Sequence, residues 1–516
     1  MLVNEFLERT SDKYPDKIAL ISGDRRLTFL QIEHLANCLA NAFLDLGLQR
    51  QERVAIYLEP SIEAIISIFA ALKAGGIFVV INPQIKSKKL VYMLNDCQVK
   101  ILVSDSYHVR ELFDTQDACP NLHSLLLTDY EVTKIKENKK SIVKILSYEQ
   151  ALNQHPVSQP AKQCIDIDLA TLIYTSGSTG FPKGVMLTHL NIVTAANSII
   201  EYLENAPKDI IINLLPLSFD YGLYQVLMAF KFGGTVIQEQ SFLYPYRVVE
   251  LLIKEKVTGF PIVPAIAAVL FKIEKIKKCS FSHLRYLAST GQALPPNYIN
   301  QLQKIFTGAK IYSMYGLTEC KRVSYLPPDE INRRPTSVGK AIPNTEVYIV
   351  DGADKKINEP HKIGELVVRG AHVMKGYWNL PELTEKVLRP GPLPDERVLY
   401  TGDLFKMDSE GFLYFVSRKD DMIKVGGALV SPKEVENVLY EIKDVQEAAV
   451  VGIKDEITGQ AIKAFVALKD GARLKKEDIQ KYCGKRIENF MVPKYIEIRK
   501  ELPKSSHGKI SKRDLI

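Results

Sequence analysis

The sequence predicts an α/β protein. A large N-terminal domain of doubly wound parallel sheets, with a small antiparallel unit, is followed by a small mobile α+β C-terminal domain. Three observations carry this expectation. Short apolar runs alternate with segments of helical periodicity from the N-terminus to about Glu330. Beyond Glu330 the runs shorten and gather turn residues. The charged, non-periodic stretch Ser417-Arg418-Lys419-Asp420-Asp421 then separates this part from a compact α/β pattern, which sets the domains at 1–417 and 418–516.

With 516 residues and 46% hydrophobic content, the chain buries a core large enough for two or three domains. Seven cysteines, scattered and without a Cys-x-x-Cys pair, speak against a disulfide framework and a zinc site and point to a reducing cytoplasm. A net charge of +7 is small for this length and gives little reason to expect nucleic acid as a partner. Most of the excess lies from Arg418 onward, where 21 Lys and Arg face 16 Asp and Glu, as on a solvated basic surface or a docking face for an acidic or phosphate-bearing partner. The N-terminus mixes charged and apolar residues, unlike a secretory signal. The longest apolar stretch, Ala64 to Ile81, is broken by Lys73 and Gly75-Gly76 and predicts a buried helix and a strand, not a membrane span.

Taken in order, Leu2 to Gly47 predicts a helix, a hairpin and a second helix. Arg53 to Tyr57, Phe78 to Ile81 and Ile101 to Val103 are strands, with a helix from Ser61 to Lys73. Leu126 to Gln163, Lys-rich in its middle, reads as a surface excursion. Leu169 to Tyr174 is a strand, a helix runs from about Thr188 to Tyr202, and Ile210 to Leu215 is again a strand. Helices near Leu223 to Phe232 and Pro245 to Glu255 alternate with strands at Thr235 to Ile237 and Gly259 to Val263. Leu284 to Gly291 and Lys310 to Gly316 are strands that end in small residues. Ligands of open α/β sheets bind where strands end, so these ends predict one shared crevice. Val347 to Gly352, Gly364 to Gly370 and Phe412 to Phe415 form the antiparallel unit.

The stretch Tyr174-Thr175-Ser176-Gly177-Ser178-Thr179-Gly180-Phe181-Pro182-Lys183-Gly184 is a polar loop between two apolar segments. Its glycines let backbone N–H groups turn outward, four hydroxyls add donors, and Lys183 adds a point charge, the chemistry that holds nucleotide phosphates. A P-loop kinase would need Gly-Lys followed by Ser or Thr; here Lys183 lies between Pro182 and Gly184.

Together with this loop, Tyr315-Gly316-Leu317-Thr318-Glu319, Tyr400-Thr401-Gly402-Asp403, Arg418-Lys419-Asp420-Asp421 and Pro503-Lys504-Ser505-Ser506-His507-Gly508-Lys509-Ile510 resemble the ordered core motifs of the AMP-forming adenylating enzymes. That superfamily includes acyl-CoA synthetases, the adenylation domains of nonribosomal peptide synthesis and beetle luciferases, and the resemblance spans essentially the whole chain. It implies an ATP-dependent ligase. A carboxylate and ATP give an acyl-adenylate and pyrophosphate, and a thiol, of CoA or of a carrier protein's phosphopantetheine, then takes the acyl group. Under the resemblance, Thr175, Ser176, Gly177, Ser178, Thr179, Gly180 and Lys183 would steady the β- and γ-phosphates. Tyr315 with Gly316 would stack on adenine, walled by Ser289 to Gly291 and Gln292. Thr318 would bond the α-phosphate, and Glu319 would ligate Mg²⁺. Asp403 and Arg418 match the pair that holds the ribose, Asp420 the hinge of the C-terminal domain, and Lys509 the lysine that reaches the carboxylate and α-phosphate. Leu429 stands where many relatives carry Arg or Lys, so no phosphate contact is carried to it. A luciferase-like oxygenase and a noncatalytic nucleotide-binding relative are the alternatives; the latter would be expected to have lost Glu319 or Lys509.

For the carboxylate, the resemblance points to Phe219, Asp220, Tyr221, Tyr224, Met314, Arg322 and Val323. Asp220 falls where amino-acid adenylation domains place the partner of the substrate ammonium, and it equally reads as a cap of the following helix. Arg322 suits a second substrate carboxylate or an acid of the protein. With no attached carrier serine evident, a separate carrier protein is a candidate partner beside CoA. The resemblance implies a small amino, acyl or aryl acid as substrate, with proline as an example of the amino acids.

Overall fold

The computed structural model describes residues 1–110, 119–130, 143–176, 182–240, 242, 244–425, 428–455, 458–504 and 509–515. Two large sheets carry the N-terminal part. One has nine strands, with the parallel run Ile18–Ser22, Thr235–Gln238, Ile210–Asn213, Gly259–Ile262, Tyr286–Ser289 and Lys310–Tyr315 at its centre. The other has eight. Its order runs from Gly376–Tyr377 through Pro182–Thr188, Leu169–Ser176, Ile77–Val80, Arg53–Tyr57, Val99–Ser104 and Ser124–Leu127 to Lys144–Ser147. A five-stranded antiparallel sheet follows, ending in Leu413–Arg418, and a further five-stranded sheet from Ile423–Val425 onward packs with the helices Pro432–Glu441 and Lys476–Cys483. The architecture is thus two α/β domains, large then small, as the periodicities predict.

Local chemistry explains the elements that hold the site. Thr28 with Gln31 and Thr188 with Asn191 form capping boxes that start the helices Phe29–Asp45 and His189–Tyr202. Helix Ile62–Lys73 is buried on nearly every side between the sheets, which accounts for its continuous apolar character. Lys73, buried at its end, bonds Glu8 at 2.9 Å and Glu33 at 2.6 Å, so its charge is paired inside the core. Among the described residues no helix is long and apolar enough to cross a membrane.

One expectation changes. The stretch 126–163 is not simply a surface excursion, because Lys144–Ser147 pairs in parallel with Ser124–Leu127 as the edge of the eight-stranded sheet and Tyr148–Gln154 is helical. A four-residue edge strand with one exposed end has too little apolar periodicity to stand out in sequence. The two apolar segments that flank the polar stretch around Ser176 are strands, as expected, and they pair with each other as a hairpin, with Tyr174 opposite Gly184 and Thr175 opposite Lys183. Gly177, Ser178, Thr179 and Gly180, the tip, lie outside the described residues, as do Gly426, Gly427 and the side chains of Ser176 and Leu429.

His189 shows how tightly this hairpin is anchored. Fully buried at the helix start, it accepts a hydrogen bond at Nδ1 from the Val3 backbone at 3.0 Å, while Nε2 has no partner among the described residues. Burial pushes its pKa down to about 4. The unfolded chain therefore binds a proton between pH 6.5 and 4 that the folded chain refuses, and stability falls as pH falls through that window. His189→Gln is expected to remove about 2 kcal/mol of the stability lost between pH 7 and pH 5, read as the difference between wild-type and variant urea unfolding curves at the two pH values. Parallel losses in the two proteins would show that His189 is not the group responsible.

Candidate active site

Where strands from the two large sheets, the antiparallel sheet and the C-terminal domain end together, they enclose a cavity of about 610 Å³. Its lining includes Thr175 and Lys183 from the hairpin, Phe219 and Asp220 from a helix start, Gly291 and Gln292 from the loop after Tyr286–Ser289, and Met314 to Glu319. Asp403 and Arg418 close one side, and Lys509 enters from the C-terminal domain.

Six acidic residues line this space, and three of them, Asp220, Glu319 and Asp403, act on Lys509, each with a further cation from elsewhere in the chain. Glu319 Oε1 accepts bonds from Lys183 Nζ at 3.2 Å and from the Tyr377 hydroxyl at 2.7 Å, and Lys183 also donates to Tyr377 at 2.6 Å. Strand pairing brings Tyr377 here, because Gly376–Tyr377 runs antiparallel to Pro182–Thr188 and the Met374 N–H bonds the Glu319 carbonyl. Asp403 is cross-strand partner to Arg418, whose Nε donates to Oδ1 at 3.2 Å, while the Tyr315 hydroxyl donates to Oδ2 at 2.5 Å. Burial pushes the Asp403 carboxyl up, against the pull of Arg418 and Tyr315.

The third carboxylate is Asp220. The helix Asp220–Phe232 starts with Phe219 as N-cap and no side-chain cap bond, so the capping role expected of Asp220 is not what it does. Instead the Lys321 ammonium donates to the Asp220 carbonyl at 2.7 Å and lies 3.4 Å from Oδ2, in contact with the faces of Tyr224 and Tyr221 at 4.3 and 5.5 Å. Burial and the neighbouring Arg322 draw the Lys321 amine down to about 7 against the pull of Asp220.

Lys509 reaches the middle of the cluster. Its Nζ lies 5.6 Å from the Phe219 ring, and burial lowers its pKa although Asp220, Asp403 and Glu319 all attract the charge. Gly291 has φ +87°, and a Cβ there would come within 3.2 Å of Lys509 Cε, so glycine is needed both for the turn and for the approach of the lysine.

Of the substrate-pocket residues expected from sequence, Phe219, Asp220 and Met314 line the cavity. Tyr221, Tyr224, Arg322 and Val323 are buried behind that lining, Tyr221 donating to the Ala288 carbonyl at 2.6 Å and Arg322 lying 5.1 Å from the Tyr221 ring. Asp420 is exposed in the short turn Lys419–Asp421 between the two domains' sheets. Lys321 and Tyr377 escape sequence reading. Lys321 follows its motif by two residues with nothing to mark it as inward-facing, and Tyr377 reaches Lys183 across 194 residues of chain.

The cavity's donors suit a magnesium nucleotide. Thr175 Oγ1 and Ser218 Oγ, both on residues of the lining, are buried without a hydrogen-bond partner among the described residues, and Glu319 offers a carboxylate oxygen, the ligand Mg²⁺ prefers.

Comparison with known proteins agrees. The AMP-binding enzyme family profile matches residues 7–378, and the AMP-binding enzyme C-terminal domain matches residues 434–509. A long-chain-fatty-acid–CoA ligase of Bacillus subtilis is 33% identical over 536 aligned positions, spanning 100% of this chain and 94% of the relative. The crystal structure of the anthranilate CoA ligase AuaEII with anthranoyl-AMP superposes with TM-score 0.91 at 27% identity, covering 100% of this chain and 96% of that one. ATP-bound MatB from Rhodopseudomonas palustris gives TM-score 0.88 at 26% identity, covering 100% and 98%. The chain belongs to the AMP-binding enzyme family, and it is an ATP-dependent, AMP-forming ligase that adenylates a carboxylic acid and passes it to a thiol.

Proposed function

We propose that the thiol is that of CoA, and that the cavity performs the adenylation half-reaction in the arrangement described. The observation that carries this reading is the position of Lys509: a residue eight from the C-terminus lines the same cavity as Asp220, Glu319, Asp403 and Arg418. The ligase names borne by the B. subtilis relative and by AuaEII support CoA as acceptor.

In this reading the acid enters past Phe219, and one carboxylate oxygen attacks the α-phosphorus of ATP. The bond from that phosphorus to the bridging oxygen of pyrophosphate breaks, and pyrophosphate leaves. Negative charge gathers on the α-phosphoryl oxygens in the transition state, and the Lys509 ammonium and the Thr318 hydroxyl, both of the cavity lining, stabilise it in this reading. Lys183 and Thr175 hold the departing phosphates, and Glu319 would hold the Mg²⁺ ion, which would supply neutralisation of phosphate charge. Tyr315 and Gly316 flank the base, Asp403 and Arg418 hold the ribose, and Gln292 closes the wall beside Gly291. The CoA thiolate then attacks the acyl carbon and AMP departs, after the domain that begins at Arg418 turns about Asp420 and withdraws Lys509.

Removal of the Lys509 charge should separate the two halves. Lys509→Ala is expected to lower carboxylate-dependent pyrophosphate release by roughly 100-fold or more, while CoA still consumes supplied acyl-adenylate at near wild-type rate. Equal loss in both steps would remove Lys509 from adenylation. In wild type, free CoA should sustain multiple turnovers, and a response confined to a phosphopantetheine-bearing carrier protein would overturn CoA as acceptor.

Tyr377 gives a second test. Tyr377→Phe deletes the hydroxyl that joins Lys183 to Glu319, a loss of about 1.5 kcal/mol for a hydrogen bond to a charged group. We expect kcat/KM for Mg-ATP to fall roughly ten-fold, the KM for the acid to hold, and the calorimetric affinity for Mg-ATP without acid to weaken. A change confined to the acid's KM would place Tyr377 outside the phosphate site.

A further inference from the structure

Of the three carboxylates that act on Lys509, Asp220 has the most deeply buried counter-ion. The Lys321 side chain is 2% exposed, against 21% for Lys183 and 64% for Arg418. Its ammonium is satisfied by the Asp220 carbonyl and carboxylate and by two tyrosine faces. The backbone is shaped to put it there. Lys321 has φ +62°, a left-handed conformation that costs a non-glycine residue about 1 kcal/mol or more, and its carbonyl lies 2.3 Å from where a Cβ on Gly316 would be. A lysine held in a strained turn with its ammonium buried against one carboxylate is an ordered feature of the site.

The charges around that carboxylate are lopsided. Asp220 supplies one negative charge. Lys321 neutralises it, Arg322 is buried beside Tyr221, and Lys509 comes within electrostatic reach from the C-terminal domain. An α-ammonium on the substrate would bring a further positive charge into a pocket whose carboxylate is already paired, at low effective dielectric. The remaining wall of the cavity beyond Phe219 is apolar and small, from Pro264, Ala265, Ala268 and Met314.

We propose that Lys321 is a specificity-determining residue: by occupying Asp220 it makes the enzyme select carboxylic acids with an apolar body and no amine beside the carboxylate. The inference rests on the ligase reading above and narrows its substrate class. Nothing in it requires Lys321 to touch the reacting atoms. It acts by closing to a cation the one site that would receive it.

The test uses matched acids that differ only by the amine: proline and cyclopentanecarboxylate, phenylalanine and 3-phenylpropanoate, alanine and propanoate. Pyrophosphate release with saturating Mg-ATP gives kcat/KM for each. In wild type the amine-free member of a responding pair should win by at least ten-fold. Lys321→Met frees Asp220 and should shift that ratio at least ten-fold toward the amino acid. The double variant Lys321→Met with Asp220→Asn, which removes both charges, should return the ratio toward wild type. Should methionine prevent folding, Lys321→Gln keeps a donor for the Asp220 carbonyl and should shift the ratio in the same direction. A wild-type preference for the amino acid overturns the proposal by itself, and so does a ratio that Lys321 variants leave unchanged. If fatty and aryl acids also release no pyrophosphate, the ligase reading itself fails. Activity with those acids alongside a wild-type preference for amino acids defeats only the role of Lys321.

Discussion

Three carboxylates crowd one cavity, and the need to neutralise them organises the molecule. Asp220, Glu319 and Asp403 come from different elements, and close like charges in a partly buried space are tolerable only with counter-ions. Lys321, Lys183 and Arg418 supply them, each from a segment other than that of its acid. Lys509 is a fourth cation and feels all three acids at once. The C-terminal domain sets this lysine among the acids, whose attraction offsets only part of what burial costs its charge.

Docking of this kind can be reversed cheaply. The small domain has its own apolar core, centred on residues such as Val435, Leu439, Ala464 and Ile479, and does not borrow that of the large domain. Its contacts with the large domain include a hydrogen bond from the Tyr298 hydroxyl to the Gln446 carbonyl at 2.9 Å, the edge contact of Tyr298 with Tyr440, and the ion pair of Lys419 with Glu365 at 3.0 Å. Contacts of this sort are worth about 1 kcal/mol each, so the docked arrangement rests on a few modest interactions. A polyanionic nucleotide in the cavity would add a partner for Lys509, and its departure would remove one, so binding would change the balance directly.

The fold was legible wherever an element's own residues decide it. Periodicity is local, and so are the caps at Thr28, Ser61 and Thr188. Pairing across the chain is not local. No residue near Pro182 announces that Gly376–Tyr377 will lie beside it, and Lys144–Ser147 is too short to announce itself as an edge. The same division runs through the site. Glu319 and Asp403 stand inside runs that bear a strong resemblance, and both line the cavity. Lys321 does not, because its role depends on a left-handed turn that aims a commonplace lysine at a carboxylate 101 residues away. Tyr221 and Tyr224 look in sequence like cavity lining, but helical geometry turns them into the core, where they meet Lys321 instead of the cavity.

Asp403 illustrates how a single acid serves both the fold and the ligand. A carboxylate has about four lone-pair positions, two on each oxygen. Tyr315 occupies one on Oδ2 and Arg418 one on Oδ1, and these bonds fix the plane of the group between an aromatic wall and a strand. One position is left on each oxygen, side by side. Vicinal hydroxyls need two adjacent acceptors, so the bonds that immobilise Asp403 leave free the capacity that the proposed ribose contact would use. A shorter-reaching arrangement, with Arg418 bound to both oxygens, would have consumed that capacity. The single Nε contact at 3.2 Å leaves the arginine anchored and the acid still able to bind.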